Sequence, residues 1–329
     1  MDREREGLID VHHHHIPPFY LEENLDRIAA SWGGRLSATW HGWSPQRAIE
    51  AMDRAGIETS VLSLSSPGVW FGDAAQARTL ARRVNEYASR MRAEHPGRFG
   101  LFAAIPLPDV EGSLREIAHA LDVLGADGVG LLTSYEGRWL GHASYRPVFE
   151  ELDRRKAVVF VHPTVPRCCR ALMPEVRPVV TEVPQDTCRA IASLLYTGTL
   201  SRYGGIRFIF AHAGGAMPMA YGRLIQFRPA GLDPEGIDRE LRRLYYDIAA
   251  TAYRPAVAAL RALVPASQIL LGTDCPYAPA ELTTAGMAAL GLRDDELRAL
   301  GRENARALLP RLRRTRAAAR RGRLSPSTP

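Results

Sequence analysis

Little in this chain points to the secretory pathway or a membrane. It has 329 residues and four cysteines, Cys168, Cys169, Cys188 and Cys275, with no C-x-x-C among them. Vicinal Cys168-Cys169 could chelate a soft metal or form a redox pair, but with no secretion signal we expect four free thiols. No apolar run approaches the roughly 20 residues of a membrane helix. The charged start MDREREG is unlike a signal peptide, so we expect a cytoplasmic protein. Lys156 is the only lysine, and the other basic residues are arginine. Seven arginines and no acidic residue fall in 311–329, without which the formal +6 becomes −1. The basic character therefore belongs to a tail that we expect to be disordered, and the body has no basic stripe of the kind that binds nucleic acid.

What the chain does contain is a repeated alternation. Short β-branched or apolar runs lie near 8–12, 59–64, 99–105, 127–132, 157–162, 206–211, 244–248 and 268–273, with helical patterns between them. Continuous apolar character suits parallel strands covered on both faces. Helix ends are legible too: Ser44-Pro45 opens a helix that Gly56 closes, and Asp73 opens another that stops before Pro96-Gly97. Eight strand–helix units predict an α/β fold, a (β/α)8 barrel over residues 1–310. No Gly-rich phosphate loop follows the first strand, which argues against a doubly wound nucleotide-binding sheet. The connection 15–43, with Pro17-Pro18 and several aromatics, reads as a long loop of the kind that covers an active site.

The chemistry-bearing residues collect at carboxyl ends of predicted strands. Residues i and i+2 share a strand face, so in DVHHHH either His12 with His14 or His13 with His15 faces the barrel mouth. Two imidazoles side by side suit a shared divalent cation. An affinity tag is a poor account, because the run lies between a strand and Pro17-Pro18. His162 ends the fifth strand, His212 the sixth and Asp274 the eighth. Gly214 and Gly215 would let a substrate approach the backbone closely. Three histidines and an aspartate make a mixed N/O set typical of Zn2+, with Mn2+ or Fe2+ possible.

IDVHHHHIPPFY, VFVHPT, FIFAHAGGAMP and LLGTDCPYAP, in this order, resemble the signature segments of the aminocarboxymuconate-semialdehyde decarboxylase branch of the amidohydrolase superfamily. VLSLSSPG and GTDCPYAP resemble its salicylate-type members. The resemblance runs from about residue 8 to 310. It implies an amidohydrolase-type barrel with His12, His14, His162 and Asp274 as metal ligands and His212 as acid/base. It also implies that Arg223 reaches a neighbouring subunit's site to hold a substrate carboxylate, hence a homodimer. A second substrate-binding arginine falls nearest Arg35, displaced by one position. Since both histidines of the first pair are kept, Zn2+ is expected over Mn2+. The implied activity is non-oxidative decarboxylation of a small aromatic (salicylate-like) or enoic carboxylic acid, with His212 or Asp274 as proton donor. The alternative on the same site is hydrolysis of an amide, lactone or C–C bond. The pocket is expected to be walled by the 15–43 connection, Pro67 to Phe71, Thr133 to Tyr135, Thr164 and Arg167.

Overall fold

Parallel strands whose two faces both need cover are satisfied by closing the sheet inside a ring of helices, and that is the observed solution. The computed structural model describes residues 7–32, 38–169, 172–173 and 175–312. Eight parallel strands follow one another around the sheet in chain order. They are β1 (Leu8–His14), β2 (Ile57–Ser63), β3 (Phe99–Ala104), β4 (Gly128–Leu132), β5 (Val158–His162), β6 (Arg207–Phe210), β7 (Tyr245–Asp247) and β8 (Ile269–Leu270). The extension of β8 closes the barrel onto β1: the Val11 amide donates to the Leu271 carbonyl at 2.9 Å, and that of His14 to the Cys275 carbonyl at 2.7 Å. All eight expected strands are present.

The lumen is filled from alternate positions. Ile9, Val11, Val61, Phe102, Phe160, Ile209 and Leu270 form one buried cluster, whereas neighbours such as Val159, Phe208 and Leu271 pack outward against the helices. Gly128 lets β3 and β5 meet across β4. A side chain there would come within 2.4 Å of the Val158 carbonyl and 3.0 Å of the Phe102 ring, and Phe102 instead stacks on Phe160 with ring centres 5.5 Å apart. In β1 the pairing register is irregular between Asp10 and His13. Odd-numbered Ile9 and Val11 face the lumen below this point and even-numbered His12 and His14 above it, the re-aiming that a bulge produces beside an active site.

Both predicted helix starts are capped: Ser44 Oγ accepts from the Arg47 amide at 3.2 Å and Asp73 Oδ1 from the Gln76 amide at 2.7 Å. The 15–43 connection departs from expectation, since Pro18–Ser31 is an α-helix with Tyr20, Asn24 and Ile28 buried. The i, i+4, i+8 stripe contains a polar residue, which hid its period from a reading by hydrophobicity. Its aromatics still roof one side of the barrel, with Tyr20 stacked on Trp40 and its hydroxyl donating to the Gly68 carbonyl at 2.7 Å. Arg35 and nearly all of the basic tail lie outside the described residues. All four cysteines are free. Among the described residues no helix is long and apolar enough to cross a membrane.

Candidate metal centre

The carboxyl ends of β1, β5 and β8 converge. His12 and His14 from β1, His162 from β5 and Asp274 after β8 each bring a ligand atom into a group spanning no more than 4.8 Å. His12 Nε2 and His14 Nε2 lie 3.1 Å apart. Asp274 Oδ1 is 3.3 Å from His12 Nε2, 3.1 Å from His14 Nε2 and 4.0 Å from His162 Nε2. A tetrahedron with bonds of about 2.0–2.1 Å has edges of about 3.3 Å, so these spacings suit one small divalent cation. The His14 and His162 rings pack edge to face, at 90° with centres 4.6 Å apart. His162 Nδ1 and Nε2 and Asp274 Oδ1 are buried with no hydrogen-bond partner among the described residues. Orphaned groups of this kind are costly unless something else binds them, and three imidazoles with one carboxylate are donors suited to a divalent metal.

The surroundings orient these rings. His14 Nδ1 donates to the Ser63 carbonyl at 3.3 Å, leaving Nε2 for the centre. His13 and His15 turn away: His13 Nδ1 pairs with Asp10 Oδ2 at 3.1 Å, and His15 lies against Trp43. Asp10 also accepts from the Thr273 amide and hydroxyl at 3.0 and 2.7 Å, tying β1 to the end of β8. Burial, the largest influence, lowers the His12 pKa, but the adjacent Asp247 and Asp274 carboxylates outweigh it and raise it to about 10. Burial lowers His14 and holds His162 well below the ordinary histidine range, helped by the neighbouring His14 and His12. Burial pushes Asp274 upward, and the surrounding histidines reverse this, keeping it well below the usual carboxylate range.

His212 sits beside the group, its ring centre 5.0 Å from that of His12. Its Nδ1 donates to the Ala249 carbonyl at 3.0 Å, so Nε2 is the free nitrogen. The backbone is left-handed at His212 (φ 57°), Ala213 (φ 57°) and Asp274 (φ 61°). Such non-glycine conformations cost about 1–3 kcal/mol each and cluster where function demands a particular aim. Gly214 (φ 75°) and Gly215 (φ 61°) are required by backbone conformation and by packing. A Cβ at 215 would meet the Pro184 carbonyl at 2.1 Å, and one at 214 the Tyr246 ring at 3.0 Å.

The sequence reading missed Asp247, at the end of β7. Fully buried, it accepts from His12 Nδ1 at 2.9 Å and from the His212 amide at 3.1 Å. His12, His212 and Asp247 also fall within 4.8 Å of one another. Because both Asp247 oxygens already accept hydrogen bonds, this trio is a support and not a second metal site. The available signal was an acidic residue inside an otherwise apolar strand, LYYDI.

Arg223 is not brought to the centre within this chain. It is exposed on the helix Met217–Gln226, its guanidinium 5.1 Å from the Phe227 ring centre. The expected pocket walls do meet. Pro67, Trp70, Phe71, Tyr135, Thr164 and Arg167 line a cleft of about 270 Å³, joined by Arg27 from the helix that replaces the expected loop. Neither this cleft nor a wider depression of about 660 Å³ around Tyr221 and Arg242 is lined by His12, His14, His162, His212 or Asp274; the cleft is the one that carries the expected wall residues.

The amidohydrolase family profile (Amidohydro_2) matches residues 9–311. The chain belongs to the amidohydrolase family. Within it the similarity is to decarboxylases. A 6-methylsalicylic acid decarboxylase of Penicillium expansum is 34% identical, with 93% of this chain and 97% of that protein covered. Decarboxylase yanB of Aspergillus niger is also 34% identical, over 92% of this chain and 87% of that protein. Among solved structures, 5-carboxyvanillate decarboxylase from Novosphingobium aromaticivorans, complexed with manganese and a nitrobenzoic acid, superposes with a TM-score of 0.86. It covers 94% of this chain and 97% of that one at 21% identity, a likeness that establishes the amidohydrolase barrel fold.

Proposed function

We propose that this protein is a metal-dependent, non-oxidative decarboxylase of a small salicylate-like acid, a carboxy-lyase of the amidohydrolase superfamily. The observation that carries the reading is the convergence of His12, His14, His162 and Asp274 on one point at the barrel mouth, in a chain whose relatives are decarboxylases. The cleft that carries Thr164, two residues beyond His162, is of single-ring size: about 270 Å³, just below the usual range for small-molecule pockets, roughly 300–1,000 Å³. Its aromatic walls suit a flat ring, and Arg27 and Arg167 suit an anion.

The four residues would hold a divalent cation, Zn2+ by donor type, with Mn2+ the ion in the superposed neighbour. When bound, the cation supplies Lewis-acid polarisation of the carboxylate and ortho hydroxyl and fixes the ring's position. His212, once its Nε2 has taken a proton from solvent while Nδ1–H stays on the Ala249 carbonyl, then delivers that Nε2 proton to the ring carbon bearing the carboxylate. The bond to the carboxylate breaks, its electron pair returns to the ring, and CO2 leaves with aromaticity restored. Asp274 is a poor donor by comparison, because the histidines around it keep it ionised. His212 regains its proton from solvent.

The test is a panel of hydroxybenzoates followed by CO2 release, beside a panel of amides and lactones. The reading predicts CO2 from ortho-hydroxy acids; opened lactones or amides with no CO2 would establish hydrolysis instead.

Arg223 completes the proposal. The exposed Met219 (82%) and Phe227 (61%) on either side of it suit a surface that a second copy covers, from which Arg223 would hold the partner's substrate carboxylate. Arg223→Ala and His12→Ala proteins should each be inactive alone. After mixing and exchange, about half the dimers are hybrid with one complete site, so activity should return to about a quarter of the wild-type level. No recovery despite exchange would place Arg223 elsewhere.

The His12 pKa gives a further expectation. With its pKa raised to about 10, His12 carries a proton at neutral pH, whereas a metal needs the neutral ring; His14, His162 and Asp274 have none to lose. Loading at pH 7 should release about one proton per metal, and apparent affinity should rise about tenfold per pH unit up to about pH 10. Calorimetry in buffers of different ionisation enthalpy measures this, and a proton count of zero would contradict it.

A further inference from the structure

β1 and β7 are not neighbours; the extension of β8 runs between them. Across that gap His12 Nδ1 and Asp247 Oδ2 are nevertheless only 2.9 Å apart. Gly272 makes the contact possible. A Cβ at 272 would lie 2.7 Å from His12 Cβ and 2.8 Å from Asp247 Cβ and Cγ, distances at which one or both must withdraw. The second Asp247 oxygen, Oδ1, accepts from the amides of His212 at 3.1 Å and Ala249 at 2.9 Å. The Ala249 carbonyl in turn receives the His212 Nδ1 proton at 3.0 Å. One buried carboxylate thus touches the first metal-ligating histidine directly and the acid/base histidine through a turn.

We propose that Asp247 is a positioning residue that sets the tautomers of both histidines, acting across the opening left by Gly272. A neutral imidazole has one N–H, and which nitrogen carries it is decided by the acceptor that nitrogen meets. Oδ2 keeps the proton of neutral His12 on Nδ1 and turns Nε2 to the metal. Oδ1 holds the turn whose carbonyl keeps the His212 proton on Nδ1, leaving Nε2 for the substrate. This rests on the metal-site reading above and adds to it a part for a residue outside the ligand set.

Asp247→Asn separates the two halves. Its amide oxygen can still accept from the two backbone amides, so the turn and His212 keep their arrangement. Its NH2 group then faces His12 Nδ1, donor against donor, and favours the tautomer whose proton blocks Nε2. We expect intrinsic Zn2+ affinity, measured by competition with a chromophoric chelator over a range of pH so that proton competition at His12 is separated out, to fall about 10- to 100-fold, with circular dichroism unchanged. Gly272→Ala should lower affinity in the same direction. Wild-type protein that binds Zn2+ beside an Asp247→Asn protein binding it within twofold would overturn the inference. Wild-type protein that binds no Zn2+ would instead overturn the metal-site reading. If Asp247→Asn fails to fold, 15N imidazole spectra of zinc-loaded wild-type protein decide: His12 ligated through Nε2 with a proton on Nδ1 supports the inference. Ligation through Nδ1, or His212 carrying its proton on Nε2, overturns it.

Discussion

Asp274→Ala should leave a folded barrel that no longer retains a divalent metal and releases no CO2. Asp274 is the only anionic donor of the four, and its Oδ1 lies 3.1–4.0 Å from the Nε2 atoms of all three histidines. Removing it leaves neutral nitrogens and an empty ligand position. Losing a group that merely orients a ligand costs roughly 10- to 100-fold in affinity, so loss of a charged ligand itself should cost at least about 100-fold. His12→Ala should behave alike. Metal content by elemental analysis and CO2 release, read together, check this. A variant that keeps stoichiometric metal would remove Asp274 from the ligand set.

His212→Gln should do the opposite, keeping the metal and losing the rate. The His212 ring lies beside the ligand group, and its Nδ1 is committed to the Ala249 carbonyl, so the metal has no need of it. Glutamine can preserve that hydrogen bond but cannot carry a proton to carbon. A positioned acid/base contributes about 10²–10⁴-fold, so kcat should fall by that factor in fully loaded protein, with KM nearly unchanged. A variant that instead fails to load would mean His212 is a ligand; one that retains kcat would hand the proton to another group.

Much of this was legible in the residues, for identifiable reasons. Parallel strands need apolar runs, and all eight were found. Ser44 and Asp73 marked helix starts because a side-chain oxygen there has a backbone amide to cap. The pairing of His12 with His14 follows from strand alternation, although the structure reaches it differently: the register irregularity after Asp10 puts Val11 and His12 on the same side. The missed features carry weaker local signals. Asn24 in the buried stripe disguised the Pro18–Ser31 helix. The partners of Asp247 and Gly272 lie on other strands and far away in the chain, and nothing local says that His12 is waiting across β8. The same distance hides a reason for glycine at 214 and 215, the close approach of Tyr246 and Pro184.

The most direct test of the account is CO2 release from a carboxyl-labelled salicylate-type acid by one preparation in three states: as loaded, after chelation, and after restoring Zn2+ or Mn2+. The account predicts labelled CO2 in the first state, almost none in the second and recovery in the third. Undiminished release from fully chelated protein would contradict it.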